Sequence, residues 1–108
     1  MAKEGYVYLI GSVDDKERFK IGVTRGDVKK RIKKLQTGNS EELYVKHIFK
    51  TSSPFKLEKM MHTQFANKNE LNEWFRLTND EINDFPKKCE EMQKIIDSLE
   101  DNPFFKKA

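Results

Sequence analysis

The fold is decided by two stretches near the start of this 108-residue chain, Gly5-Tyr-Val-Tyr-Leu-Ile-Gly11 and Phe19-Lys-Ile-Gly-Val-Thr24. The first is rich in aromatic and β-branched residues and ends at a glycine. The second alternates apolar and polar residues with a period of two, and the segment between them is polar. Such alternation is typical of a strand with one buried face, so the pair predicts a β-hairpin.

Periodicity farther along predicts two helices and a third strand. Apolar residues recur at helical spacing after Asp27, a suitable N-cap, and this first helix is expected to end near Gly38. Residues 43–51 alternate again and predict the third strand. Ser53-Pro54 then marks the start of a second helix, which is expected to run to about residue 68.

The last third of the chain predicts a short extended piece at residues 73–77 and a final helix at about 79–100, capped by Thr78 or Asn79. Pro86 indicates a kink or a restart in that helix. The predicted fold class is α+β: a small three-stranded mixed sheet that begins with a β-hairpin, flanked by helices, plus a C-terminal helix.

Length and composition favour a single domain over residues 1–108, with a core at about 5–78, because 36% hydrophobic residues in so short a chain leave little room for a second domain. The sequence has no run of about 18 apolar residues, which excludes a membrane-spanning protein and predicts a cytoplasmic location. The one cysteine, Cys89, is expected to fill space in the core rather than act as a nucleophile.

The final helix carries apolar residues with a 4-3-4-3 spacing, a pattern typical of a helix that packs on one partner. They are Phe85, Cys89, Met92, Ile96 and Leu99. Docking on the helix's own domain is the preferred interpretation, and a homodimer or a protein partner is the alternative.

Charge is distributed unevenly along the chain, although the net charge is only +3. Residues 1–56 carry thirteen Lys or Arg against seven Asp or Glu, whereas residues 57–108 carry eight against eleven. A basic half is what a surface that meets phosphates requires. A solvated lysine-rich surface explains the same numbers.

Strand alternation places Tyr8 and Lys20 on the same face of the hairpin, opposite the face formed by Val7 and Leu9. Gly22 lies on the Tyr8 face without a side chain, which leaves a gap that a backbone or a ligand can approach. An ordinary cross-strand pair of tyrosine and lysine on a solvated face is the alternative.

Two charged residues are expected at the edges of the apolar stripes of the first two helices. Arg31 lies beside the first stripe, where its guanidinium can bind a phosphate with two hydrogen bonds, or where its stem covers the rim of the core. Glu58 lies beside the second stripe, and His62 follows at i+4. The far side of the first helix carries the four lysines that can attract a phosphate backbone, Lys29, Lys30, Lys33 and Lys34.

Glu58 is a candidate ligand for a hard metal ion. One Glu and one His are a poor set for zinc, whereas Mg²⁺ is often held by a single carboxylate, water and substrate phosphate. The alternative for Glu58 and His62 is a surface pair on a helix.

An ordered set of short motifs runs through residues 5–78. These are Tyr6-Val7-Tyr8, Lys20-Ile21-Gly22, Arg31, Glu58 with His62, and Glu73-Trp74-Phe75. The set resembles the GIY-YIG nuclease superfamily, and within it the short phage and bacterial domains whose second motif reads K-I-G. The resemblance implies a GIY-YIG-like fold, and a host-cell cytoplasmic location if the chain is phage-encoded.

The same resemblance implies the roles of the site residues. Tyr8 would orient or deprotonate the attacking water, Glu58 would hold one Mg²⁺ or Mn²⁺ ion, and Arg31 would stabilise charge on the phosphate of a DNA substrate. His62 would position Glu58 or contact the phosphate. Lys20 replaces the tyrosine of the second motif and can serve as the cation that favours phenolate. Asn72 is the nearest candidate for a late asparagine of the family, with Asn67 and Asn69 as competitors.

Three functions are therefore open. The preferred one is a metal-dependent endonuclease that hydrolyses phosphodiester bonds, with DNA as the expected nucleic acid. The second is a binding module that has kept the scaffold and lost the chemistry. The third is an adaptor or inhibitor that binds protein through the acidic C-terminal helix and the Phe104-Phe105 tail.

Overall fold

The computed structural model describes residues 4–101, and over that range the chain forms one five-stranded antiparallel sheet. The strand order is β3-β1-β2-β5-β4. The strands are β1 (Gly5–Ser12), β2 (Asp15–Thr24), β3 (Leu43–Thr51), β4 (Asn69–Leu71) and β5 (Trp74–Arg76).

Helices cover both faces of this sheet. They are α1 (Val28–Thr37), α2 (Pro54–Gln64), α3 (Asn79–Asn83) and α4 (Phe85–Asp101), and a 3₁₀ turn (Ala66–Lys68) follows α2. Ile32 and Leu35 of α1 pack on one face of the sheet. Buried side chains of α2, α3 and α4 pack on the other face, which holds the larger core.

The predicted hairpin is confirmed, and both of its strands are longer than the pattern indicated. Leu9 lies opposite Ile21 and Tyr8 lies opposite Gly22. Val7, Leu9 and Ile21 are completely buried on the side of α2 and α4. This burial fixes the register, since a slip by one residue would turn every buried side chain towards the opposite face.

The predicted three-stranded mixed sheet is wrong, because the sheet has five strands and each pair is antiparallel. The extended piece near residue 75 is β5, which pairs with the outer edge of β2 so that Trp74 lies opposite Lys20. A turn at Asn72, whose φ is 54°, then pairs β4 with β5. Strands of three residues are too short to display a period of two, and β4 is exposed along its whole length.

The direction of β3 was also not evident from the sequence. The chain crosses from β2 through α1 and returns beside β1, not beside β2, so β3 runs antiparallel to its neighbour. A local alternation pattern does not specify which strand is the partner.

The C-terminal helix is two helices, so Pro86 marks a restart and not a kink. Thr78 caps α3 in a capping box with Glu81, and α4 begins anew at Phe85. The buried residues of the predicted seam, Phe85 and Cys89 among them, face the domain's own core. The helix therefore docks on its own domain.

The buried position of Cys89 and the absence of a membrane-spanning helix were also predicted from the sequence. Cys89 is buried, and burial raises the pKa of its thiol to about 12, which suits core filler and not a nucleophile. Between residues 4 and 101 no helix is long and apolar enough to cross a bilayer. Phe104 and Phe105 lie outside the described residues.

Replacement of Phe85 by alanine should lower the free energy of unfolding by about 3–5 kcal/mol, because a fully buried ring would leave a cavity. Urea denaturation followed by circular dichroism measures the change. Phe55→Ala is the matched control, since Phe55 is 52% exposed and its loss should cost less than about 1 kcal/mol. Equal losses in the two variants would contradict this account of the core.

Candidate functional site

The ring of Tyr8 lies directly over the backbone of Gly22. A β-carbon added to Gly22 would lie 2.5 Å from the Tyr8 ring and its hydroxyl oxygen, which is closer than atoms in contact can approach. The gap predicted at Gly22 is thus the space that the phenol occupies. Tyr8 is completely buried, so this face of the hairpin is not solvated around it.

Arg31 reaches the Tyr8 hydroxyl from α1. Its Nε donates a hydrogen bond to the Tyr8 oxygen at 3.4 Å. Asp27 caps α1 by accepting a hydrogen bond from the Lys29 backbone N–H at 2.9 Å, and Ile32 packs on the sheet. These contacts hold the half-buried Arg31 at the edge of the apolar stripe, where the sequence placed it.

Tyr8 is held as a neutral phenol at physiological pH. Burial raises its pKa above the ordinary value of 10, the hydrogen bond and charge of Arg31 oppose this, and the carboxylates of Glu73 and Glu58 add to the rise. A neutral phenol can orient a water molecule but is not a base at neutral pH. Deprotonation of a water molecule by Tyr8, one of the two predicted roles, is therefore disfavoured at neutral pH.

Lys20 is engaged with other partners. Its ammonium lies 3.1 Å from the Glu73 carboxylate and 5.7 Å from the centre of the Trp74 ring. Lys20 shares the Tyr8 face of the sheet, as predicted, because the residue opposite it, Ile10, packs in the same cluster as Tyr8. Its charge is balanced by Glu73 and is not directed at the phenol.

Glu58 and His62 approach from the opposite side of the sheet on α2. The Nε2–H of His62 donates to the carbonyl oxygen of Ile21 at 2.9 Å, and the ring packs edge-on against Phe75. The same nitrogen lies 3.9 Å from a Glu58 carboxylate oxygen. His62 thus fixes α2 to the open edge of β2 and stands beside Glu58.

Glu58 is a carboxylate held in a partly buried position, with 19% of its side chain exposed. Burial raises its pKa above the ordinary 4.5, and the neighbouring Glu73 raises it further, whereas His62, Lys20 and Arg31 lower it. The charges of Arg31 and Glu73 thus act on both Tyr8 and Glu58. Side chains from both faces of the sheet converge where β5 stops covering β2.

The place of this convergence follows from the strand pairing. Strand β5 pairs with β2 only from Arg18 to Lys20, and the last backbone bond, from Ile21 N–H to the Glu73 carbonyl at 3.1 Å, closes the paired edge. Beyond Ile21 the edge of β2 has no strand partner among the described residues. Side chains from α1 and α2 can meet around that edge.

The donor set at Glu58 fits a hard divalent cation. The described part of the chain has no group of three or more His, Cys, Asp or Glu placed to hold a metal, which argues against a zinc site there. A single partly buried carboxylate suits Mg²⁺ or Mn²⁺, which keep water and substrate oxygens as their other ligands. His62 is a poor further ligand because its Nε2 is bonded to Ile21.

The predicted nucleic-acid contacts divide into two places. The lysines of α1, Lys29, Lys30, Lys33 and Lys34, are all exposed. Asn72 lies in the turn between β4 and β5, where it lines a hollow of about 260 Å³ together with His62 and Asn69. Both asparagines therefore lie near His62, whereas Asn67 does not line this hollow, and the choice among the three stays a prediction.

Glu73 is a candidate site residue that the sequence did not indicate. In the sequence it was only the first residue of the Glu73-Trp74-Phe75 motif. In the structure its carboxylate pairs with Lys20 and raises the pKa values of Tyr8, Arg31 and Glu58. No local signal could have found it, because its position depends on the pairing of β5 with β2. That pairing joins residues more than fifty positions apart.

A protein-family model described as T5orf172 domain matches residues 5–90. No curated protein and no solved structure matches the chain. The assignment to the GIY-YIG superfamily is corrected by this comparison, because the family that matches is a different one and no GIY-YIG model does. Short aromatic and aliphatic tripeptides are common in buried hairpins, so they identify a family weakly.

Glu58→Gln should make the protein more stable at pH 7. The pKa of Glu58 is raised in the folded state, so the folded protein binds the proton more tightly than the unfolded chain does. The contribution of Glu58 to the free energy of unfolding is therefore most favourable below pH 4.5, and it is lost as the pH rises through the raised pKa. The amide removes the buried charge. Urea unfolding at pH 7 and at pH 4 should show a gain at pH 7 that shrinks at pH 4.

The matched control is Glu90→Gln, an exposed carboxylate on α4. It should leave the unfolding free energy within about 0.5 kcal/mol at both pH values. A Glu58→Gln variant that is less stable than the wild type at pH 7 would contradict this prediction. It would show that nearby positive charges stabilise the Glu58 carboxylate by more than its burial costs.

Proposed function

The chain belongs to the T5orf172 domain family, a family of nuclease-like, nucleic-acid-binding domains, and from this premise we propose that it is a metal-dependent endonuclease acting on DNA. The observation that carries the proposal is the convergence of Tyr8, Arg31 and Glu58 at the open edge of β2. A partly buried carboxylate with a raised pKa costs stability at neutral pH, and such a cost is typical of functional sites.

The proposed reaction is hydrolysis of a phosphodiester. The oxygen of a water molecule attacks phosphorus, the bond from phosphorus to one sugar oxygen breaks, and that oxygen leaves with a proton. Tyr8 orients the attacking water through its neutral hydroxyl group. Arg31 donates a hydrogen bond to the same hydroxyl through its Nε. Its other N–H groups can bind the non-bridging phosphate oxygens.

Glu58 would hold the metal ion, and the ion would supply positive charge that stabilises the charge developing on phosphate oxygens. His62 keeps the Glu58 turn of α2 against β2 through its bond to Ile21. Lys20 and Glu73 form a charge pair beside the site, which limits the net charge that the phosphate meets. The exposed lysines of α1 attract the nucleic-acid backbone without reading its sequence.

The rate of DNA cleavage with Mg²⁺ or Mn²⁺ should fall about 10²–10³-fold in Arg31→Ala and in Glu58→Ala. A loss of this size is typical when a group that stabilises transition-state charge is removed. Tyr8→Phe should reduce the rate as well, because the ring still fills its space while the hydroxyl is gone. Supercoiled, branched and single-stranded DNA are the substrates, and nicked or shortened products separated on gels are the readout.

Arg76→Ala and Glu90→Ala are the matched controls, since both residues are exposed and neither belongs to the site. Both variants should cut at the wild-type rate. A preparation that leaves DNA intact with either metal would contradict the enzymatic proposal.

A binding module without catalysis is the second candidate, and the ion pair of Lys20 with Glu73 favours it, since this carboxylate balances the charge that Lys20 would otherwise offer to the phenol. It predicts binding that weakens as salt rises, with a shallower salt slope when Lys30, Lys33 and Lys34 are changed to Gln. Fluorescence anisotropy between about 50 and 200 mM salt measures the slope. Binding that does not depend on salt would contradict it.

A further inference from the structure

Phe55 presents an aromatic ring at the surface of a basic region. The ring is 52% exposed and belongs to the first turn of α2. The guanidinium carbon of Arg25 lies 4.7 Å from the ring centre, a cation–π contact. Lys56 follows Phe55 in the chain, and Lys29 lines the same surface hollow as Arg25.

Phe55 lies on the same face of α2 as the candidate site. Residues 55, 58 and 62 are spaced by three and four, which places Phe55, Glu58 and His62 in one row along the helix. Three residues of helix rise by about 4.5 Å, so Phe55 lies less than one helical turn before Glu58. Phe55 is therefore the residue before Glu58 in this row along α2.

Arg25 is held in a defined position beside the ring. It lies in the connection between β2 and α1, where the Gly26 backbone N–H donates to the Thr24 hydroxyl at 3.1 Å and closes the turn. Its side chain is exposed and has no salt bridge among the described residues. The guanidinium is thus available to a phosphate while it contacts the ring.

We propose that Phe55 stacks on an unpaired nucleobase next to the scissile phosphate, while Arg25 binds the phosphate on the far side of that base. An aromatic ring with an arginine beside it is how single-stranded nucleic acid is bound without sequence preference. A base in a closed duplex is already stacked and cannot reach the ring. The chain therefore prefers single-stranded or branched DNA, an inference that rests on the proposed function.

The test uses binding without metal, so that cleavage does not interfere. The probes are a fluorescein-labelled oligothymidine of twelve nucleotides and a closed duplex of equal length. Phe55→Ala should weaken binding of the single strand by about 5- to 100-fold, since one stacked base is lost, and should change duplex binding less. Ile95→Ala, which removes an exposed apolar side chain from α4, is the control and should change neither.

Phe55→Trp gives a direct signal of stacking and keeps an aromatic ring in place. Tryptophan fluorescence of this variant should fall when the oligothymidine binds, whereas the buried Trp74 of the wild type should respond little. Arg25→Gln should lower the salt slope of binding by about one, as expected for one lost phosphate contact.

The outcomes separate this inference from the proposed function. Binding to DNA with no effect of Phe55→Ala and no quenching in Phe55→Trp overturns the stacking site and leaves the proposed function intact. Tighter binding of the duplex than of the single strand also overturns it. Absence of any binding by the wild type overturns both proposals.

Discussion

The close approach of the Tyr8 ring to the backbone of Gly22 is the constraint on which the rest of the site depends. The ring can lie over residue 22 of β2 only because this opposite residue has no side chain. In that position its hydroxyl reaches Arg31 of α1 and lies near the open edge of β2. A side chain at residue 22 would move the phenol and with it the partner of Arg31.

Stability and chemistry oppose each other at this edge. Burial disfavours the charged forms of both Tyr8 and Glu58, and Glu73 adds negative charge nearby. The large core on the other face contains Phe85, Leu57 and Met61. Burial of these apolar side chains stabilises the fold and offsets the free-energy cost of the buried charge. The arrangement resembles that of functional sites, in which strained or charged groups are held by a well-packed scaffold.

The charge pairs around Trp74 connect the scaffold to the site. Arg18 lies 4.0 Å from the centre of the Trp74 ring, and Lys20 lies near the same ring while it pairs with Glu73. Strand β5 thus brings the carboxylate of Glu73 close enough to raise the pKa of both Glu58 and Tyr8. Since β5 has only three residues, its position depends on the burial of Trp74 and Phe75 more than on backbone pairing.

The sequence by itself determined the elements whose signals are local. The alternation in β1 and β2 predicted the hairpin and its faces, and helical spacing placed Arg31 and Glu58 at the edges of their stripes. Only the tertiary structure decided the number and direction of the strands, the approach of Glu73 to Lys20, and the neutral state of Tyr8. These depend on contacts between residues distant in the chain and on the depth of burial, and a local pattern specifies neither.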